Sequence, residues 1–108
     1  MNKLEPKIFV ICLSAYKQGI LHGAWIKANQ ETDLLYSDVQ SMLASSPMND
    51  AELFAIHDYQ GFGALSIDKN TSLEVISALA SVINFIYEQG ITSYKHWNRR
   101  VMHNMHNI

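Results

Sequence analysis

The chain has 108 residues and a mass of 12.3 kDa, with 48% hydrophobic and 17% charged residues, which suits one folded domain with a modest core and excludes a disordered segment or two full-sized domains. No stretch approaches the roughly 20 apolar residues of a membrane-spanning helix, the opening Met1 to Pro6 lacks the form of a signal peptide, and the lone Cys12 excludes an internal disulfide, so a reducing cytoplasm is expected. The net charge of -2 divides into +3 over residues 1–27, -8 over 28–90 and +3 over 91–108, an acidic middle between mildly basic ends.

In chain order, Lys7 to Tyr16 (KIFVICLSAY) predicts a strand apolar on both faces, Ile8, Val10 and Cys12 alternating with Phe9, Ile11 and Leu13. Lys17-Gln18-Gly19 supplies a turn, and Ile20 to Ile26 reads as a second strand, so residues 7–26 form a hairpin. Gly23 inside it marks a bulge or a close backbone approach. A helix follows near Thr32, capped by Thr32 or Asp33, with Leu35, Val39, Met42 and Leu43 as its apolar stripe. Ser45-Ser46-Pro47 ends it.

Glu52 to Tyr59 predicts a third strand, with Phe54 and Ile56 on one face and Ala55 and His57 on the other. Gly61-Phe62-Gly63 forms a turn, and Ala64 to Ile67 extends the sheet briefly. The clearest helix carries Leu73, Ile76, Leu79, Ala80, Val82, Ile83 and Ile86; Thr71 and Glu74 have capping-box spacing, and Gly90 stops it. Thr92-Ser93 caps a last helix bearing Tyr94, Trp97, Val101 and Met102. The expected architecture is α+β: a small antiparallel sheet of about three strands with packed helices and a C-terminal helical extension, divided as 1–68 and 69–108.

Catalytic and metal chemistry find little support. His103 and His106 share a helical face, but no second Cys or His–Glu pair completes a four-ligand site, so no metal and no cofactor are expected. His22 and His57 lie in predicted strands, where adjacent His57 and Asp58 point to opposite faces and do not form a base and its orienting carboxylate. Each histidine is expected to bond a backbone carbonyl instead. Cys12 lacks the electropositive setting that lowers a thiol pKa, and neither a nucleophile elbow nor a full dinucleotide loop occurs. The chain is not expected to be an enzyme.

Charge offers more. An acidic middle resists nucleic acid and attracts a basic partner surface, although acids on a solvated face also simply keep a protein soluble. At the basic end, Lys95, Trp97, Arg99 and Arg100 interleave charge with aromatic surface, a pattern that grips a nucleic-acid backbone or stacks a base.

Two segments carry a family resemblance. LSAYKQGILHGAWIKA (residues 13–28) and AIHDYQGFG (residues 55–63) resemble stretches of the ArdA-type antirestriction proteins, and SMLASSPMNDAEL (residues 41–53) resembles that family in spacing. The resemblance covers about residues 6–90, the family's N-terminal domain and part of its helical middle domain, so the chain looks like a short member. It implies a non-enzymatic cytoplasmic inhibitor, carried by mobile genetic elements, that mimics DNA with an acidic surface and occupies the DNA groove of a type I restriction–modification methyltransferase core. The phosphate-mimicking candidates are then Glu31, Asp33, Asp38, Asp50, Glu52, Asp58, Asp68, Glu74 and Glu88. Direct DNA binding and membrane contact are not expected, and monomer and dimer both stay open. The alternatives are an inhibitor of another defence complex such as a CRISPR effector, or a small nucleic-acid-binding regulator using the Lys95–Arg100 end.

Overall fold

The computed structural model describes residues 5–88. Three strands form one antiparallel sheet: β1 (Lys7–Cys12) in the centre, β2 (Gly23–Lys27) on one edge and β3 (Phe54–Gln60) on the other. A short helix, α1 (Leu13–Lys17), follows β1; α2 (Thr32–Ala44) runs back along β2 and β1, and α3 (Leu73–Glu88) closes the described chain. The α+β class and the antiparallel three-stranded sheet are those expected from the sequence.

One face of the sheet meets the helices. Ile8, Val10 and Cys12 of β1, Ile26 of β2 and Ile56 of β3 join Leu35, Val39, Met42 and Leu43 of α2 and Leu73, Ile76, Ala80 and Ile83 of α3 in the buried core. The apolar stripe expected of α2 is therefore the one it buries. In α3, Leu79 and Ile86 are only partly buried and Val82 is 44% exposed, so the expected stripe is too wide on one side. Burial of each such large aliphatic side chain contributes roughly 1.5–3 kcal/mol, which is why periodicity was a sound guide to these helices.

Several local expectations are corrected. The first strand stops at Cys12, not Tyr16. Cys12 N–H bonds His22 O at 2.9 Å, Leu13 N–H bonds Leu53 O at 3.0 Å, and Leu13–Lys17 then turns into α1. That stretch contains no β-branched residue to favour a strand. Its exit uses Gly19 at φ 82°, so the glycine turn is real but ends a helix. The hairpin pairing itself holds, from Lys7 opposite Lys27 to Ile11 opposite Gly23. A Cβ at Gly23 would overlap the Val10 carbonyl oxygen, which confirms the close backbone approach.

The cap of α2 is Glu31, without a side-chain cap bond, so Thr32 and Asp33 lie in its first turn. The cap of α3 is Ser72, whose Oγ accepts Val75 N–H at 3.2 Å, because Thr71 Oγ1 is taken by Asp68 N–H at 2.9 Å. Residues 64–67 form no strand; the β3 backbone at Ile56 instead donates to Lys69 O at 3.1 Å.

β3 contains a bulge. Val10 faces Ile56 but Phe9 faces Asp58, leaving His57 as the extra residue. The inserted residue reverses the alternation. Phe54 and Ile56 face the helices with Cys12 and Val10, then Tyr59 does so with Ile8, while Asp58 joins Phe9 on the opposite face. Tyr59 meets the buried Phe62 ring edge-on at 6.1 Å, so the bulge seats an aromatic in the core and keeps a carboxylate out of it. The expected last helix, its Thr92-Ser93 cap and the Gly90 stop lie outside the described residues.

Candidate functional site

Among the described residues no three His, Cys, Asp or Glu side chains gather in a way that would hold a metal, and no polar or charged residue is fully buried. The two histidines among the described residues lie on separate sides of the sheet. His22 falls before β2, and its Nε2 donates to Met42 O at 2.9 Å, with Ser45 Oγ 3.2 Å away. His57 packs its ring against Phe9 at 6.1 Å and Tyr16 at 5.9 Å on the open face. The bulge places His57 and Asp58 on one face after all, against the strict alternation expected of a strand. Asp58 Oδ1, however, accepts the Tyr59 N–H at 2.7 Å.

Cys12 is fully buried, with its Sγ 3.3 Å from both Ser14 Oγ and Ser46 Oγ. Burial pushes its thiol pKa up, but hydrogen bonds from these hydroxyls and from the backbone at Ala15 and Ser14 outweigh it and hold the thiol below its ordinary value. Sequence reasoning, which looked for cationic neighbours, missed that source. Enclosure still denies the sulfur access to reagents.

All nine acids proposed from the sequence are exposed. Asp33 and Asp38 stand on α2, five residues apart and so about 7–8 Å along its axis. Asp38 faces the β2 flank, where Gln30 Nε2 donates to its Oδ2 at 2.9 Å beside a cleft of about 450 Å³ bounded by Ala24, Lys27 and Met42. Glu74 stands in the first turn of α3 and accepts the Tyr36 hydroxyl at 3.1 Å, which ties it to the other flank of α2. The carboxylate beside the phenol raises the Tyr36 pKa, chiefly through that hydrogen bond. Glu31 opens α2, Asp68 Oδ1 accepts Asn70 N–H at 3.1 Å ahead of α3, and Glu88 ends α3.

The structure does not gather all nine. Asp58 is on the sheet face turned away from α2. Asp50 and Glu52 lie in the loop before β3, since that strand begins at Phe54, so strand alternation does not align them. Lys95, Trp97, Arg99 and Arg100, with His103 and His106, lie outside the described residues. No helix among the described residues is long and apolar enough to cross a membrane.

The sequence reading overlooked the open sheet face. There Trp25, 43% exposed, packs on Phe9 at 5.3 Å, and the Lys7 ammonium lies 5.6 Å above the Trp25 ring. The sequence signal for this face is period-two spacing, Lys7 with Phe9 and Trp25 with Lys27, which any hairpin strand also shows.

In comparison with known proteins, the model of the antirestriction protein (ArdA) family matches residues 8–107, nearly the whole chain and further than the two resembling segments reach. No curated protein matches the chain.

Proposed function

This chain belongs to the ArdA antirestriction family, and on that premise we propose that it blocks a type I restriction–modification enzyme by presenting carboxylates where the enzyme's DNA groove receives phosphates. Antirestriction, an inhibitory and non-catalytic role directed at restriction–modification, comes with the family. The family match over residues 8–107 carries the reading; the exposure of all nine candidate acids supports its mechanism.

Duplex DNA presents one negative charge per about 1.7 Å of axis, and proteins that bind it commit Lys and Arg to those charges. An exposed series of acids meets the same cations without offering bases to cut or methylate. Between residues 28 and 88 nine acids face a single base, Lys69. Asp33 and Asp38 on α2 and Glu74 at the start of α3 are the group that supports the idea best, because two packed helices carry them. Glu31, Asp68 and Glu88 extend the series, whereas Asp58 lies across the sheet and adds little to it. The proposed division leaves the sheet in residues 1–68 and gives 69–108 to a helical extension. Free duplex is not a ligand of this acidic group, and the inhibitor acts in the cytoplasm where its target works.

The test is competition. Purified protein is added to a type I restriction–modification methyltransferase core holding a labelled duplex, at low and high salt. Displacement that weakens with salt and is lost in a D33N/D38N/E74Q variant supports the reading. Displacement that survives all three substitutions contradicts mimicry by these residues. Failure to displace duplex, with inhibition of a CRISPR effector instead, moves the target to that complex.

A further inference from the structure

The sheet face turned away from α2 and α3 buries Ile11 and Ala55 but leaves aromatic rings exposed beside them, and it is chemically unlike the helical side. Trp25, Phe9, His57 and Tyr16 form a continuous row across β2, β1, β3 and α1, with ring centroids 5.3, 6.1 and 5.9 Å apart in turn. Trp25 and Tyr16 are 43% and 51% exposed, and His57 is exposed as well. Three exposed rings in one row offer a surface on which a further planar ring can stack.

The charges beside the row are equally specific. Lys7 and Lys27 are direct cross-strand partners and therefore project from the same face. Like charges placed opposite one another destabilise a sheet. Lys7 is partly accommodated by the Trp25 ring 5.6 Å below its ammonium, and neither lysine has an ion-pair partner among the described residues. An anion lying over the Lys7–Lys27 pair would relieve the repulsion. Asp58 of β3 shares the face, paired with Phe9 and diagonal to Lys7, and the exposed Glu5 stands two residues before Lys7, but neither forms an ion pair with Lys7 or Lys27 among the described residues.

We propose, against the expectation from the family resemblance that the chain makes no direct DNA contact, that this face binds single-stranded DNA, with bases stacking on Trp25 and its neighbouring rings and the backbone phosphates running past Lys7 and Lys27. The ligand needs both π-faces and anionic links at close spacing, which an unpaired strand supplies. A duplex hides its base faces, so it does not use the aromatic row. Exposed rings on an antiparallel sheet are a general platform for two or three stacked bases. The choice of DNA rests on the antirestriction role, which concerns DNA; the face itself is independent of the acids of α2 and α3.

The experiment uses the full chain without any restriction enzyme, so its failure is separate from failure of the inhibitory reading. A Trp97→Phe background leaves Trp25 as the sole tryptophan, and its fluorescence is followed while an oligothymidylate of about twelve nucleotides is added. Saturable quenching is expected, with none from a duplex of equal length. Trp25→Ala weakens binding about five- to hundredfold, as measured by anisotropy of labelled strand, while Trp25→Phe retains most of it. K7Q/K27Q reduces the slope of log affinity against log salt by about 1.4. Unchanged circular dichroism in each variant separates lost stacking from lost fold. No quenching by the strand, equal quenching by duplex, tighter binding of oligouridylate than of oligothymidylate, or undiminished affinity in Trp25→Ala would each overturn the proposal.

Discussion

The Tyr36 hydroxyl on α2 donates to the Glu74 carboxylate on α3, at 3.1 Å to Oε2 and 3.3 Å to Oε1. The bond exists only while the phenol keeps its proton, and it raises the Tyr36 pKa, with desolvation and the charge of Glu74 adding to the same direction. A group whose pKa is higher in the folded chain contributes stability below its unfolded value, about 10 for tyrosine, and that contribution is lost as pH climbs through the folded value. Urea unfolding above pH 10 should therefore show a steeper loss of stability in the native sequence than in Tyr36→Phe. Parallel pH profiles for the two proteins would mean the helix–helix bond is absent in solution.

Two glycines test the hairpin in different ways. A Cβ at Gly23 meets the Val10 carbonyl oxygen, an atom fixed in the β1–β2 ladder, whereas one at Gly19 meets nothing within 4 Å and suffers only from φ +82°. Gly23→Ala should cost about 1–3 kcal/mol or more through forced backbone movement, and Gly19→Ala about 1–2 kcal/mol through the left-handed conformation. Denaturant midpoints order the two. A milder effect at Gly23 than at Gly19 would argue against the close approach of β1 and β2 at that point.

These glycines also show how much of the fold the sequence disclosed. Gly23 was legible because a glycine within a strand pattern has few other uses, and Leu35, Val39, Met42 and Leu43 were legible because 3.6-residue periodicity and burial are the same fact. The bulge at His57 was not, since it arises from pairing between segments some fifty residues apart and leaves no local mark. Nor was the choice of Ser72 over Thr71 as a cap, which depends on Asp68 claiming the threonine hydroxyl. For the candidate site, exposure of the acids followed from their charge, but strand and helix assignments alone did not reveal that Asp58 faces away from Asp33 and Asp38. The antirestriction role was legible only in the letters of two segments, because no physical rule derives an inhibitor's target from its composition.

Phe62 connects the glycine turn after β3 to the core. Its side chain is 1% exposed and meets the Tyr59 ring that the bulge turns inward. Phe62→Ala should cost about 3–5 kcal/mol, the range for emptying a buried aromatic site, a large share of the stability of a domain this size. Thermal and urea unfolding measure it. A cost below about 1 kcal/mol would show that the turn is not packed as described.

Cys12 separates acidity from reactivity. Its thiol is held below the ordinary value by serine hydroxyls and backbone bonds, yet it has no exposed surface. Alkylation by iodoacetamide at pH 8 should therefore be slow in the native chain and should accelerate with urea along the unfolding curve. Rapid labelling without denaturant would place the sulfur at the surface.

On the proposed function, exposed acids on α2 and α3 compete with DNA for a restriction–modification enzyme. The most direct measurement is release of a labelled duplex from a type I methyltransferase core, titrated with the native chain and with D33N/D38N/E74Q. Stoichiometric release by the native chain, weakened by salt and lost or reduced at least tenfold in the variant, is the predicted result; a tenfold change corresponds to about 1.4 kcal/mol of binding free energy. Equal release by the folded variant, or no release by the native chain, would contradict it.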